Sequence, residues 1–200
     1  MVLVWGRMML AKISAAVFLA GAAIVLSGCS PEAKAGLRSW AFSPTTYQER
    51  SWLNLEADGP ATGYGDKQID DKTFVINSLG SEVTTVAQAQ DLALVHSAKL
   101  GKSRGFDRFI VQRSRAEMRC SLHHANPVVE LTVRYGAEND FDEAKASYST
   151  DEVISDLMPQ VQRPDASTTA KETAYVANMR FCRSGGTNQI VDPNRIKVSG

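Results

Sequence analysis

The chain has 200 residues, a formal net charge of zero from 22 basic and 22 acidic side chains, and three cysteines. That length supports one domain with a sizeable core and falls short of two. Balanced charge gives no overall pull toward nucleic acid or toward a strongly charged substrate.

At the N-terminus, Arg7 and Lys12 precede an uncharged apolar run over residues 13–26. The run has the length of a signal-peptide core and is shorter than the ~20 residues that a bilayer-spanning helix needs. It ends in Leu26-Ser27-Gly28-Cys29, which resembles the lipobox of bacterial lipoproteins: an apolar residue, two small ones that fit a tight peptidase site, and a cysteine whose thiolate takes a diacylglyceryl group. The resemblance implies that residues 1–28 are a signal peptide and that Cys29 carries lipidation, palmitate included, which anchors the chain in a bilayer. Ser30 stands where an acidic residue would hold such a protein at the inner membrane, so the implied address is the outer membrane, on its periplasmic side. Met8 or Met9 offers a second start that keeps Lys12 in the basic region.

Residues 29–65 hold Pro31, Pro44 and Pro60, with Trp40, Phe42, Tyr47, Trp52 and Leu53 as apolar anchors, and read as a lipidated cysteine and tether that partly packs on the domain. Gly63-Tyr64-Gly65 carries turn chemistry. The domain is expected over 66–183. Residues 73–79 form a β-prone run closed by Gly80, and residues 81–103 a helix capped by Thr84 or Thr85 and stopped at Gly105. On that helix Val86, Ala89, Leu92, Ala93, His96 and Leu100 share one sector, while Gln88, Asp91, Lys99 and Lys102 fall outside it. A strand from Phe109 toward Met118 completes a β-α-β unit. Val129, Leu131, Val133 and Tyr135 alternate with polar residues as a half-buried strand does. Ser149 and Glu152 stand at capping-box spacing before a short helix that Pro159 is expected to end. Tyr175, Ala177, Met179 and Phe181 alternate as a last strand, and 184–200 reads as a disordered tail. The expected fold class is α+β: a small, mostly antiparallel sheet with one long helix, in the order β-α-β-β-α-β, after the signal peptide and tether.

Gly63-Tyr64-Gly65-Asp66, Thr84-Thr85, Asp91-Leu92-Ala93-Leu94 and Gly105-Phe106-Asp107-x-Phe109 together resemble an uncharacterised family of alphaproteobacterial envelope lipoproteins. That family has a Gly-Tyr-Ser-Asp turn, a Thr-capped helix and a Gly-Tyr/Phe-Asp-x-Phe strand start. The likeness covers about residues 63–113 well and 128–164 weakly. His96-Ser97-Ala98-Lys99 departs from the family's Arg-Ala-Ala-Glu, so a salt bridge formed by that Arg and Glu would be missing here. The resemblance implies a compartment and a fold pattern, and supplies no catalytic residues.

Two thiols remain in the mature chain, Cys120 and Cys182, and an oxidising periplasm favours their pairing as a disulfide. On the strand reading Cys182 faces away from Met179 and Phe181, which leaves two free thiols as the alternative. Cys120-x-x-His123-His124 holds ligand types suited to zinc or copper, the basis of an alternative reading as a periplasmic metal-handling protein. The preferred reading has no metal site and no cofactor. His96 reads as a packing residue rather than a base or ligand. Asp66, Asp70, Asp71, Glu138, Asp140, Asp142 and Glu143 read as solvated loop acids, with no Ser or His at a diagnostic spacing. Arg104, Arg108, Arg113, Arg115 and Arg119 surround the second strand as a charged edge that resists aggregation or meets an anionic surface. The function these features imply is a non-catalytic interaction module of the cell envelope, bound to the bilayer through acylated Cys29 and to an envelope protein or cell-wall partner, with no nucleic acid.

Overall fold

A computed structural model describes residues 42–49, 62–122, 124–141, 147–185 and 196. The expected signal peptide, Cys29, His123, Asp142, Glu143 and most of the tether and tail lie outside the described residues. Five strands form one antiparallel sheet in the order β1-β2-β4-β3-β5. They are β1 (Gly63–Gln68), β2 (Thr73–Leu79), β3 (Arg108–Cys120), β4 (Ala125–Gly136) and β5 (Ser147–Ser149). Among the described residues three α-helices complete the α+β fold: α1 (Val86–Ser103), α2 (Thr150–Gln162) and α3 (Thr168–Arg183). Because β2 and β3 each run antiparallel to β4, they point the same way, and α1 links them across the strand that separates them.

The period-2 patterns have one inner face. Val129, Leu131 and Val133 of β4 stand opposite Ala116, Ser114 and Val111 of β3, and Leu131 and Val133 face Ile76 and Phe74 of β2. A bulge between Val111 and Arg113 inserts one extra residue. That shift keeps Ala116 and Met118 inside and turns Arg113, Arg115 and Arg119 outward. β5 pairs only with Arg108–Ile110, so the rest of β3 is an open, arginine-rich edge among the described residues, as the charge pattern predicts.

α1 lies on the inner face. Its N-cap is Thr85, in a capping box with Gln88, and Gly105 at φ 81° reverses the chain after Arg104. The expected single buried sector understates its burial, since Asp91, Val95 and Ser97 are buried along with Leu92 and His96. The second buried face packs Leu92 and Val95 against Val161 of α2, with Tyr47 and Tyr64 beside them. Two expectations fail here. Pro159 lies inside α2 rather than ending it, because the helix's last turn carries Val161, which is 4 % exposed, into that cluster. Residues 175–181 are not a strand: they belong to α3, whose buried positions Ala174, Tyr175, Asn178 and Met179 have helical spacing.

The domain also takes in chain read as its surroundings. Tyr47 donates its backbone N–H to Val161 O at 3.0 Å, and Tyr64 donates to Gln48 O at 3.0 Å, so residues 42–49 pack on the domain and bridge to β1. Gly63, read as part of a turn, starts β1 at φ 127°, where a Cβ would lie 2.3 Å from Gln48 O. Ile196, inside the expected disordered tail, is 3 % exposed in the main core with Phe74, Leu94 and Val153.

Candidate functional site

Three groupings carry chemistry-bearing side chains. The first forms where the C-terminal end of α3 meets the β3–β4 hairpin. Cys120 and Cys182 are bonded there, with Cα atoms 5.5 Å apart. The helical course of α3 makes the pairing accessible: Cys182 follows Met179 by three residues and Tyr175 by seven, so all three share the face turned to Met118, Ala125 and Val83. The objection raised by the strand reading disappears with the strand. His124 Nδ1 pairs with Glu82, which is 3 % exposed. Asn178 Nδ2 donates to Glu82 O at 3.0 Å and to Thr84 O at 2.9 Å, tying α3 to the entry of α1. Cys120 therefore offers a bonded sulfur and His124 an occupied nitrogen to any metal. Among the described residues no group of three or more His, Cys, Asp or Glu is arranged to hold one.

The second grouping surrounds His96, which is 7 % exposed, as a packing residue should be. It has partners that the sequence did not reveal. Its Nε2 lies 2.8 Å from Asp66 Oδ1 and its Nδ1 3.3 Å from the Tyr47 hydroxyl. A carboxylate only accepts, so Nε2 carries the proton and donates, and in the neutral ring Nδ1 accepts from the Tyr47 O–H. The ring stacks on Tyr64 with centroids 4.0 Å apart, Tyr64 stacks on Tyr47 at 4.5 Å, and Lys99 Nζ stands 4.7 Å over Tyr47. Burial pushes the His96 pKa below its ordinary value, against the opposing pull of the Asp66 carboxylate. Burial also raises the Tyr47 phenol. Both imidazole nitrogens are hydrogen-bonded, so the cluster clamps α1, β1 and residues 42–49 together. Asp66, read as a solvated loop acid, is a strand residue with a buried partner. The signal that would have found it is the alternation Tyr64, Asp66, Gln68, which puts Tyr64 and Asp66 on the inner face opposite Ser78 and Ile76.

The third grouping is the turn between β1 and β2. Asp70 accepts from Lys72 N at 2.9 Å, which holds its carboxyl below the usual range. Lys72 Nζ reaches Asp140 at 3.1 Å and lowers that carboxyl likewise. A polar surface hollow of about 610 Å³ lies here, lined by Asp70, Asp71, Lys72, Thr73, Gln112 and Arg134. These acids are solvated, as expected. An apolar cleft of about 360 Å³ opens elsewhere, between the first turn of α1 and α3, lined by Val86, Gln90, Met118, Ala177 and Phe181. Among the described residues no helix is long and apolar enough to cross a membrane.

Fold and sites together define a disulfide-secured α+β domain whose polar clusters tie its elements to one another. Comparison of the chain with known protein families, curated proteins and solved structures finds no match.

Proposed function

We propose that this protein is a lipid-anchored envelope protein, acylated at Cys29 and held on the periplasmic side of the outer membrane, whose domain is a non-catalytic interaction module. The observation that carries the reading is Leu26-Ser27-Gly28-Cys29 at the close of an apolar run too short to span a bilayer. The Cys120–Cys182 disulfide supports the same address, since such bonds persist in oxidising compartments. Two or three acyl chains meet the two-signal requirement for stable anchoring. The resemblance to alphaproteobacterial lipoproteins agrees with it. The partner, an envelope protein or cell-wall component, meets the outer sheet face, where Arg113, Arg115 and Arg134 stand among Thr132 and Glu130.

Radioactive palmitate labels the wild-type chain, and Cys29→Ala leaves an uncleaved, unlabelled precursor; normal labelling of that variant refutes the anchor. Sucrose-gradient recovery with inner-membrane markers would refute the address. Crosslinking from Arg115 in intact envelopes identifies the partner. Stoichiometric zinc or copper on the purified protein, lost in His123→Ala, would replace the interaction module with metal handling.

A further inference from the structure

Two large apolar side chains stand exposed among the described residues, Leu122 at 85 % and Ile69 at 58 %. They occupy opposite ends of the sheet. Leu122 tips the β3–β4 hairpin, next to the start of β4, whereas Ile69 lies in the β1–β2 turn, beside the end of β4 where Thr73 stands opposite Arg134. The strand between spans roughly 30 Å.

Charge separates the two ends as well. At the Leu122 end, Arg119 flanks Cys120 and Arg183 flanks Cys182, with Arg180 one turn back on α3, all three exposed. No carboxylate occurs in residues 119–125 or 180–185, and Glu82, which faces this end, is engaged by His124. The Ile69 end carries Asp70, Asp71 and Asp140 against Lys72 and Arg134. Among the described residues the disulfide end is therefore basic, whereas the β1–β2 end carries both signs, with Lys67 and Arg104 beside it as well.

The route of the chain selects between the ends. Phe42 packs on Val83, Met118, Ala125, Tyr175 and Met179, the cluster that also holds Phe181 and Cys182. Residues 30–41 separate it from Cys29 and reach at most roughly 40 Å when extended. An anchor at Cys29 therefore delivers the basic, Leu122-bearing end first, at an effective concentration on the order of millimolar, where weak docking suffices.

We propose that the disulfide-bonded end docks on the anionic headgroup layer of the anchoring membrane, with Leu122 entering the interface and Arg119, Arg180 and Arg183 facing lipid phosphates. The β1–β2 end, where charges of both signs stand together, then points away from the bilayer. This rests on the lipid-anchor reading for its tether and adds the orientation of the domain.

The test is a photo-crosslinking amino acid at position 122, or at position 69 as control, in the full mature chain on phosphatidylethanolamine–phosphatidylglycerol vesicles with radiolabelled lipid. Position 122 captures lipid and position 69 does not. Arg119→Ser with Arg183→Ser lowers that capture about thirty-fold, at roughly 1 kcal/mol per basic residue near an anionic surface. Equal capture at both positions, or capture at 122 of protein instead of lipid in native envelopes, overturns the proposal. Palmitate content of the same samples reads the anchor separately. An acylated chain without lipid capture at 122 sinks the docking face alone, an unacylated chain that still captures lipid loses only the anchor, and failure of both sinks both readings. Native disulfide mobility of each variant verifies folding.

Discussion

His96 illustrates how a polar side chain enters a core: one nitrogen donates to Asp66, the other accepts from Tyr47, and the ring faces are covered by Tyr64. Facing it are Asp66 and Tyr64 of β1, Tyr47 and Glu49 of the N-terminal segment and Lys99 of α1; burial outweighs the two carboxylates and leaves the folded-state pKa below the unfolded value near 6.5. A depressed pKa means that the unfolded chain binds a proton more readily. The contribution of His96 is present in full above about pH 6.5 and is lost as pH falls through the lower folded value. Denaturant melts between pH 7.5 and 5 should accordingly show the wild type losing more stability than His96→Gln; parallel pH curves would count against the clamp. Asn178 serves a second joint, donating to two carbonyls while 4 % exposed. Asn178→Ala should cost roughly 1–3 kcal/mol, and Asn178→Asp, the same size without a donor, at least as much. A stable Asn178→Asp protein would show that the carbonyls find other partners. Neither role is written locally. Asp66 lies thirty residues from His96 and Tyr47 forty-nine, so only the topology joins them.

At the scale of elements, α1, its Thr85 cap and its stop at Gly105 are legible because propensity, capping and periodicity agree over eighteen residues. The β3 and β4 strands are legible from alternation in the same way. The last element is not, and the reason lies in one residue. Tyr175, Met179 and Cys182 have helical spacing, but the position that completes their stripe is Asn178, which scores as polar, while Tyr175, Ala177, Met179 and Phe181 alternate by coincidence. Counting apolar residues alone favours the strand; the Ser167 N-cap, accepting from Ala170 N at 3.2 Å, favours the helix. β1 was missed for the opposite reason, since Gly63 and Gly65 carry turn chemistry and only Gly63 uses it. Close approach of α1 to β4 depends on Gly101, where a Cβ would meet the Tyr135 ring at 2.6 Å. That ring cannot retreat, being 1 % exposed, wedged among Phe74, Phe106 and Phe109, and fixed by its hydroxyl donating to Ser97 O at 2.8 Å. Gly101→Ala should lower the melting temperature, because overpacking at about 1–3 kcal/mol outweighs the ~1 kcal/mol gain in helix propensity. An unchanged or raised value would mean that the helix can lift off the sheet without penalty.

For the whole molecule, the question is how a core of this size is closed. The disulfide joins α3 to the β3–β4 hairpin over a sequence separation of 62 and, in the chain-entropy model, stabilises the fold by about 4 kcal/mol. Reduction of the wild type and Cys182→Ser should therefore lower stability by similar amounts, measured in parallel denaturant titrations. The second closure comes from Ile196, buried against Phe74, Leu94 and Val153 although the composition around it, rich in Gly, Asn and Ser, reads as a tail. Ile196, set between Arg195 and Lys197, belongs to no apolar run that would announce it, which is why the sequence concealed the contact. Burial of this kind is expensive to undo: Ile196→Ala should cost about 2–5 kcal/mol by lost transfer energy and the cavity left behind. Leu122→Ala, removing a side chain 85 % exposed, should cost almost nothing and serves as the matched control. A chain ended at Gly185 should melt at least as low as Ile196→Ala, since it removes the same anchor. If the truncated chain and the full chain unfold at the same denaturant concentration, Ile196 contributes nothing to closing the core, and the domain is complete at α3.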